Sequence, residues 1–186
     1  MIRKNFVPLL IKTLFIQLVA ISAVSCLSVR PAGVKGGKSL YEAFFTGDEG
    51  VQYFIKPLGF TQNNSSKEKL YIDFTFRYKD SIKDSVTVNF SLANEILFKS
   101  LDSIIFFNRE ERLSSTKLKL LFNEGKKEIY TSRFTTKLSL KEVYSLFNNS
   151  IWKITVINEN QQFIYIPDKK GKKSIEILKR ELFSIM

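Results

Sequence analysis

Alternation of apolar and polar side chains is the clearest pattern in the chain, and it predicts strands. In residues 69–79 every second residue is apolar or aromatic, and these residues are Leu70, Ile72, Phe74, Phe76 and Tyr78. A period of two places such a set on one face of a strand. Residues 86–92 repeat the pattern, and the short polar segment 80–85 between the two runs predicts an antiparallel pair.

Three further hairpins are predicted where polar turns separate apolar runs. The paired runs are 41–46 with 51–56, 116–122 with 128–134, and 151–157 with 162–166. Residues 103–107 add one buried run, whereas 93–101 fit either a short helix or an irregular crossing. The chain has 17 phenylalanines, most of them beside β-branched or tyrosine residues, and this composition favours strands over helices.

Two helices are predicted in the second half of the chain. Ser139 and Glu142 have the spacing of a capping box, and the apolar residues that follow recur at helical intervals as far as Phe147. Ser174 is the predicted cap of a C-terminal helix, whose apolar stripe is Ile175, Leu178, Leu182 and Ile185. Together the elements predict a mainly β fold: an antiparallel sandwich or strongly bent sheet of about eight strands, with one short helix and a C-terminal helix.

The amino terminus has the pattern of an export signal. Arg3, Lys4 and Lys12 precede an uncharged stretch, 13–24, which has the length of a signal-peptide hydrophobic region. A spanning helix needs about 20 apolar residues, and at most 17 residues lie between Lys12 and Arg30. We therefore predict a signal peptide over 1–25, with an uncleaved anchor helix as the alternative.

The stretch closes with Ala23-Val24-Ser25-Cys26, which contains the only cysteine and resembles the lipobox of bacterial lipoproteins. The resemblance covers only the first 26 residues, and Ala23 stands where leucine is commonest. It implies cleavage before Cys26 and acylation of that cysteine, which would anchor the chain without spanning the bilayer. Residues 26–40 would then be a lipidated basic tether, and 41–186 a single β-rich domain. Leu27, in place of Asp, implies the outer membrane, and the basic tether suggests that the domain faces the periplasm.

Net charge adds one candidate contact surface. The chain carries +11, of which residues 1–25 contribute +3, so the remainder stays basic at +8. The densest positive charge lies in the residues Lys169, Lys170, Lys172, Lys173, Lys179 and Arg180. We expect this segment either to contact anionic lipid headgroups or an acidic partner, or to be an exposed turn with solvated lysines. No nucleic-acid partner is predicted, since no recognition helix or aromatic stacking motif is evident.

Residue types limit the chemistry that the chain can perform. Without histidine and with one cysteine, the chain cannot form a Ser-His-Asp or Cys-His arrangement, a Cys/His zinc site or an internal disulfide. The carboxylate pairs Asp48–Glu49 and Glu110–Glu111, and the Ser-Lys clusters at 65–67 and 114–117, are typical of polar turns. We therefore predict no catalytic, cofactor-binding or metal-binding residues. Tyr41, Tyr71 and Trp152 fit either an exposed aromatic platform or packing within the fold.

These observations favour a non-enzymatic lipoprotein of the envelope that acts by associating with another protein, as an accessory or structural subunit. A glycan- or lipid-binding module is the alternative, and it predicts a concave, partly apolar pocket. A cell-wall hydrolase is a third hypothesis, and it requires carboxylates that converge in a cleft.

Overall fold

The computed structural model describes residues 39–79, 85–184 and 186. The described strands are β1 Tyr41–Phe45, β2 Val51–Gln62, β3 Ser65–Tyr78, β4 Ser85–Asn94, β5 Ser103–Phe107, β6 Arg112–Ser115, β7 Lys119–Lys126, β8 Ile129–Ser139, β9 Lys153–Asn158 and β10 Gln161–Pro167. The helices are α1, Leu140–Phe147, and α2, Lys169–Leu178, which continues into a π-helical segment, Lys179–Phe183. A short 3-10 turn, Gly47–Glu49, joins β1 to β2.

The strands form one antiparallel sheet in the order β6-β5-β9-β10-β2-β3-β4-β8-β7, and β1 also pairs with β2. This sheet curls into a half-barrel, which confirms the predicted strongly bent sheet with one short and one C-terminal helix. The two ends of the strand order, β6 and β7, are consecutive in sequence. The β6 end of the order approaches β8, the neighbour of β7, because Ser115 Oγ at the end of β6 lies 2.6 Å from Thr136 Oγ1 on β8.

Alternation along the central strands separates an inner face from an outer one. On β3 the side chains of Leu70, Ile72, Phe74 and Phe76 are buried, and the first three pair in register with buried residues of β4. Each such side chain contributes about 1.5–3 kcal/mol when fully buried. The inner face therefore carries the hydrophobic core, and the intervening residues form the outer face, which we define as the one that bears Tyr71, Asp73 and Thr75.

Helix α1 covers part of the inner face, and its predicted capping box is confirmed. Ser139 Oγ accepts a hydrogen bond from the backbone N–H of Glu142 at 3.2 Å, and Glu142 Oε2 accepts one from Ser139 N at 2.7 Å. The helix buries Val143, Leu146 and Phe147. It thereby places the Phe147 ring 4.8 Å from that of Trp152, which is also buried.

The structure differs from the sequence-based expectation in several elements. Strand β7 continues through Asn123 to Lys126, and the turn falls at Lys127, whose φ of 58° lies in the left-handed region. Of the 93–101 segment, residues 93–94 complete β4, and 95–101 are the irregular crossing rather than the short helix. Helix α2 begins at Lys169, six residues before the predicted start, because Asp168 rather than Ser174 is its N-cap.

Candidate functional site

Four exposed lysines at the start of α2 form the most concentrated charge of the described fold. One side of α2 is buried, and its residues recur at helical intervals. They are Gly171, Ser174, Ile175 and Leu178. The other side carries the lysine face, which we define as Lys169, Lys170, Lys172 and Lys173. The predicted exposed turn over 168–173 is therefore wrong in its backbone, since these residues are helical, although their side chains do reach solvent.

The two remaining cations of the predicted basic segment do not belong to this face. Lys179 Nζ donates a hydrogen bond to the backbone oxygen of Asn148, and Arg180 forms an ion pair with Glu181 at 2.8 Å. Both lie in the π-helical segment beyond α2. The structure therefore groups four of the six candidate residues and gives the other two contacts within the fold.

The start of α2 is fixed to the edge of β2. Asp168 N donates to the carbonyl oxygen of Gly59 at 3.2 Å, and Asp168 Oδ1 accepts from Gly171 N at 2.6 Å. A Cβ on Gly171 would lie closer than 3.0 Å to the Gly59 oxygen, a separation that real Cβ atoms essentially never show. Because both contacts involve backbone, the lysine face has a defined position relative to the sheet.

A polar network on the outer face was not identified from the sequence. Arg133 Nη2 of β8 donates to Asp73 Oδ2 of β3 at 2.6 Å, and its Nη1 donates to Ser91 Oγ of β4 at 2.8 Å. Asn89 Nδ2 donates to the other carboxylate oxygen of Asp73 at 2.9 Å. Alternation alone assigns these residues to the outer face, but only the register of three strands brings them together. Both oxygens of Asp73 thus have donors, which suits a role in joining strands.

Two titratable groups with raised pKa values, Tyr165 and Glu68, lie at one end of the inner face, whereas Tyr53, whose pKa is also raised by burial, lies on β2 beside Tyr41. Burial raises the pKa of Tyr165, and burial together with the charge of Glu95 raises the pKa of Glu68. The neighbouring Asn94 is fully buried, and its Oδ1 accepts from Ile96 N at 2.8 Å. In the described part of the chain, no three residues of the types His, Cys, Asp and Glu are grouped as metal ligands.

The candidate carboxylate pairs occupy turns, and one carboxylate of each pair has a side-chain partner; that of Glu110 accepts a hydrogen bond from Asn149 Nδ2 at 3.4 Å. Glu49 lies in the 3-10 turn and forms an ion pair with Arg77 at 2.7 Å. Glu110 and Glu111 lie between β5 and β6, where their backbone N–H groups donate to Asn108 Oδ1. The geometry therefore gives these residues local structural contacts.

The three aromatic residues that could form a platform are not brought together. Trp152 is buried, and its Nε1 donates to the carbonyl oxygens of Leu146 and Asn149. Tyr41 lies on β1 beside Tyr53, with ring centroids 6.1 Å apart. Tyr71 lies on the outer face and is 38% exposed. Trp152 and Tyr41 therefore pack within the fold and do not form an exposed aromatic platform.

Aromatic side chains fill the concave side of the half-barrel. Phe147 stacks on Phe183 at 4.0 Å, and Phe74 packs edge-on against Phe147 at 5.8 Å. An open depression does lie on the outer face, lined mainly by the polar side chains of Gln52, Thr75, Arg77 and Thr87. Within the described residues, this depression differs from the concave, partly apolar pocket that a glycan- or lipid-binding module requires.

An exposed aromatic cluster lies on the hairpin of β1 and β2. Phe45 is 74% exposed, Phe44 46% and Phe54 41%. Phe44 and Phe54 contact each other on the outer face, with centroids 5.7 Å apart, while the register places Phe45 on the inner side. Both sides of the end of β1 are therefore apolar, which is the character of an interaction surface.

Cys26, the predicted signal peptide and the tether as far as residue 38 lie outside the described residues. Among the residues that the structure describes, neither helix combines the length and apolar character needed to cross a bilayer. Comparison with known proteins identifies no relative, since no protein family, curated protein or solved structure matches the chain.

Proposed function

We propose that the protein is a non-enzymatic lipoprotein, anchored through Cys26 in the outer membrane and facing the periplasm, that associates with another envelope protein. The observation that supports the proposal is the outer edge of β1, which has no paired strand among residues 39–79 and 85–184 and ends in the exposed Phe44 and Phe45. We expect the partner to contribute an extended apolar segment that pairs with the β1 main chain and covers these rings.

Within the described sheet, the other two edge strands, β7 and β6, are protected, which distinguishes β1. Strand β7 has an irregular register near Leu121 and lysines at both ends, and β6 has only four residues. Bulges, lysines and short length are the devices by which proteins block pairing at sheet edges. Strand β1 contains neither lysine nor proline, and Glu42, its only charge, forms an ion pair with Lys56 at 3.3 Å.

The anchor is tested by intact-mass analysis of the protein purified from its native membrane, beside a Cys26→Ala variant. We expect a mature chain that begins at Cys26 and carries added acyl mass, and we expect this form to be absent in the variant. An unmodified full-length chain would contradict the lipoprotein proposal and indicate an N-terminal anchor helix.

The association is tested by placing a photo-crosslinking phenylalanine analogue at position 45 in cells. Ile151 provides a matched control, because it is an exposed apolar residue elsewhere, in the connection between α1 and β9. We expect one reproducible cross-linked product from position 45, absent from position 151 and lost when Phe44→Ser is added. Equal products from both positions, or none from either, would contradict association through β1.

A further inference from the structure

We propose that the lysine face of α2 binds the anionic phospholipid surface next to the membrane anchor and so orients the domain. This inference deepens the proposed function and rests on one part of it, namely attachment to a membrane through the N-terminal segment. It does not depend on the partner at β1.

The chain enters the fold beside the start of α2. Lys56 N of β2 donates to the carbonyl oxygen of Leu40 at 2.9 Å, and Asp168 N donates to the oxygen of Gly59 on the same edge of β2. Lys56 and Gly59 are three residues apart, which is about 10 Å along a strand. Any membrane attachment upstream of Leu40 therefore joins the domain next to the lysine face.

The tether alone would not orient the domain. Thirteen residues, 27–39, separate Cys26 from Leu40, and such a segment can span up to about 45 Å. A second contact is needed to bring the domain onto the bilayer. Because Gly171 and Asp168 fix the start of α2 against Gly59, the lysine face supplies such a contact at a defined place.

The lysines of this face can interact with a charged surface outside the protein. Among the described residues, the ion pairs involve Lys56, Arg77, Arg133 and Arg180, and none involves a lysine of this face. Each lysine near an anionic bilayer raises partitioning about fivefold at modest salt. The effect falls off within a Debye length of about 8 Å at physiological salt. The position beside Leu40 favours a lipid surface over an acidic protein, since the anchor keeps the bilayer within reach.

The test is lysine footprinting of the acylated protein reconstituted into vesicles. One set contains phosphatidylglycerol mixed with phosphatidylcholine, and the other contains phosphatidylcholine alone. An amine-reactive acetylating reagent, followed by peptide mass spectrometry, reports the accessibility of each lysine. We expect labelling of Lys169, Lys170, Lys172 and Lys173 to fall several-fold in the anionic vesicles and to recover in high salt. Four exposed control lysines, Lys117, Lys119, Lys126 and Lys127, should label equally in both sets.

Variants then test whether the lysine face causes the orientation. Lys56 is exposed and lies on β2 beside Leu40, three residues before Gly59, so its labelling also reports how closely this part of the domain approaches the bilayer. We expect its protection in anionic vesicles to be lost when the four lysines of the face are replaced by glutamine. Protection should persist when the four control lysines are replaced instead.

The two proposals fail separately. Equal labelling of the lysine face in neutral and anionic vesicles, in a protein whose mass shows the acyl chains, would overturn the inference and leave the anchor intact. Equal protection of the face and the control lysines would overturn it as well. Absence of acyl mass would overturn the lipid anchor, and the footprint of the full-length chain would still decide whether the lysine face meets lipid.

Discussion

Gly171 occupies an early position in α2, where its replacement by alanine tests how the helix is held against the sheet. Its backbone is helical, so alanine meets no conformational obstacle there. In an ordinary helix the substitution stabilises by about 1 kcal/mol, because alanine has the higher helix propensity. At this position the added Cβ would instead meet the carbonyl oxygen of Gly59 at less than 3.0 Å.

The sign of the effect depends on which contribution is larger. Overpacking of a tight contact costs about 1–3 kcal/mol, and the obstacle here is a backbone atom of a paired strand rather than a flexible side chain. Moving α2 away from β2 would also weaken the hydrogen bond from Gly171 N to Asp168, whose capping role is worth about 1 kcal/mol. After subtraction of the propensity gain, we expect Gly171→Ala to lower the free energy of unfolding by about 1–3 kcal/mol.

Urea-induced unfolding, followed by the fluorescence of the single buried Trp152, measures the effect. Lys172→Ala is the matched control, because it adds the same residue on the exposed side of α2 and should change stability by less than about 0.5 kcal/mol. Gly59→Ala should be intermediate, since its Cβ would lie 2.5 Å from the carboxylate of Asp168, which can rotate. If Gly171→Ala instead raised the free energy of unfolding by about 1 kcal/mol, the reasoning would be refuted, because helix propensity alone would then account for the effect.

Three further substitutions test other parts of the fold. Trp152→Phe removes a buried donor to two carbonyl oxygens and should lower the free energy of unfolding by about 1–3 kcal/mol in urea titrations followed by circular dichroism; no loss would contradict that role. Arg133→Met should cost less when Asp73→Asn is already present, because the two side chains interact directly; additive costs in a double-mutant cycle would argue against coupling. Burial and the charge of Glu95 raise the pKa of Glu68 above its ordinary 4.5, so its charge opposes folding at neutral pH and Glu68→Gln should stabilise there; the gain should shrink as the pH falls through the raised pKa and vanish below 4.5. A pH-independent difference would exclude this cause.

Four hairpin pairings, β1–β2, β3–β4, β7–β8 and β9–β10, were predictable because each depends on local pattern. The strict alternation from 69 to 79 assigns one face of β3 to the core, and the polar segment that follows predicts the pairing with β4. The capping box at Ser139 marks the start of α1 directly. In each case neighbouring residues carry the information, which is why sequence reasoning reaches it.

The sequence-based predictions fail where contacts between residues distant in sequence determine the structure. Ser174 resembles an N-cap, yet Asp168 takes that role because the ladder between β10 and β2 brings it to Gly59. Strand β6 has four residues and only partial burial, so it carries no alternation that the sequence could reveal. The Asp73–Arg133 network likewise needs the register of β3, β4 and β8. Strand order across a curled sheet is a property of the whole chain, and no local pattern specifies it.

The charge at the start of α2 runs against what helix stability alone would favour. The helix dipole places partial positive charge there, and each added cation costs about 0.3–1 kcal/mol at an exposed site. The first turn of α2 nevertheless contains no acid, and four lysines occupy the lysine face. Asp168 offsets part of this cost as the N-cap, while Gly171 keeps the helix in close contact with Gly59 at the expense of helix propensity. Lysines at any position on the surface would keep the protein soluble. Their concentration at an unfavourable, rigidly placed site beside the entry of the chain instead favours selection for contact with an anionic surface.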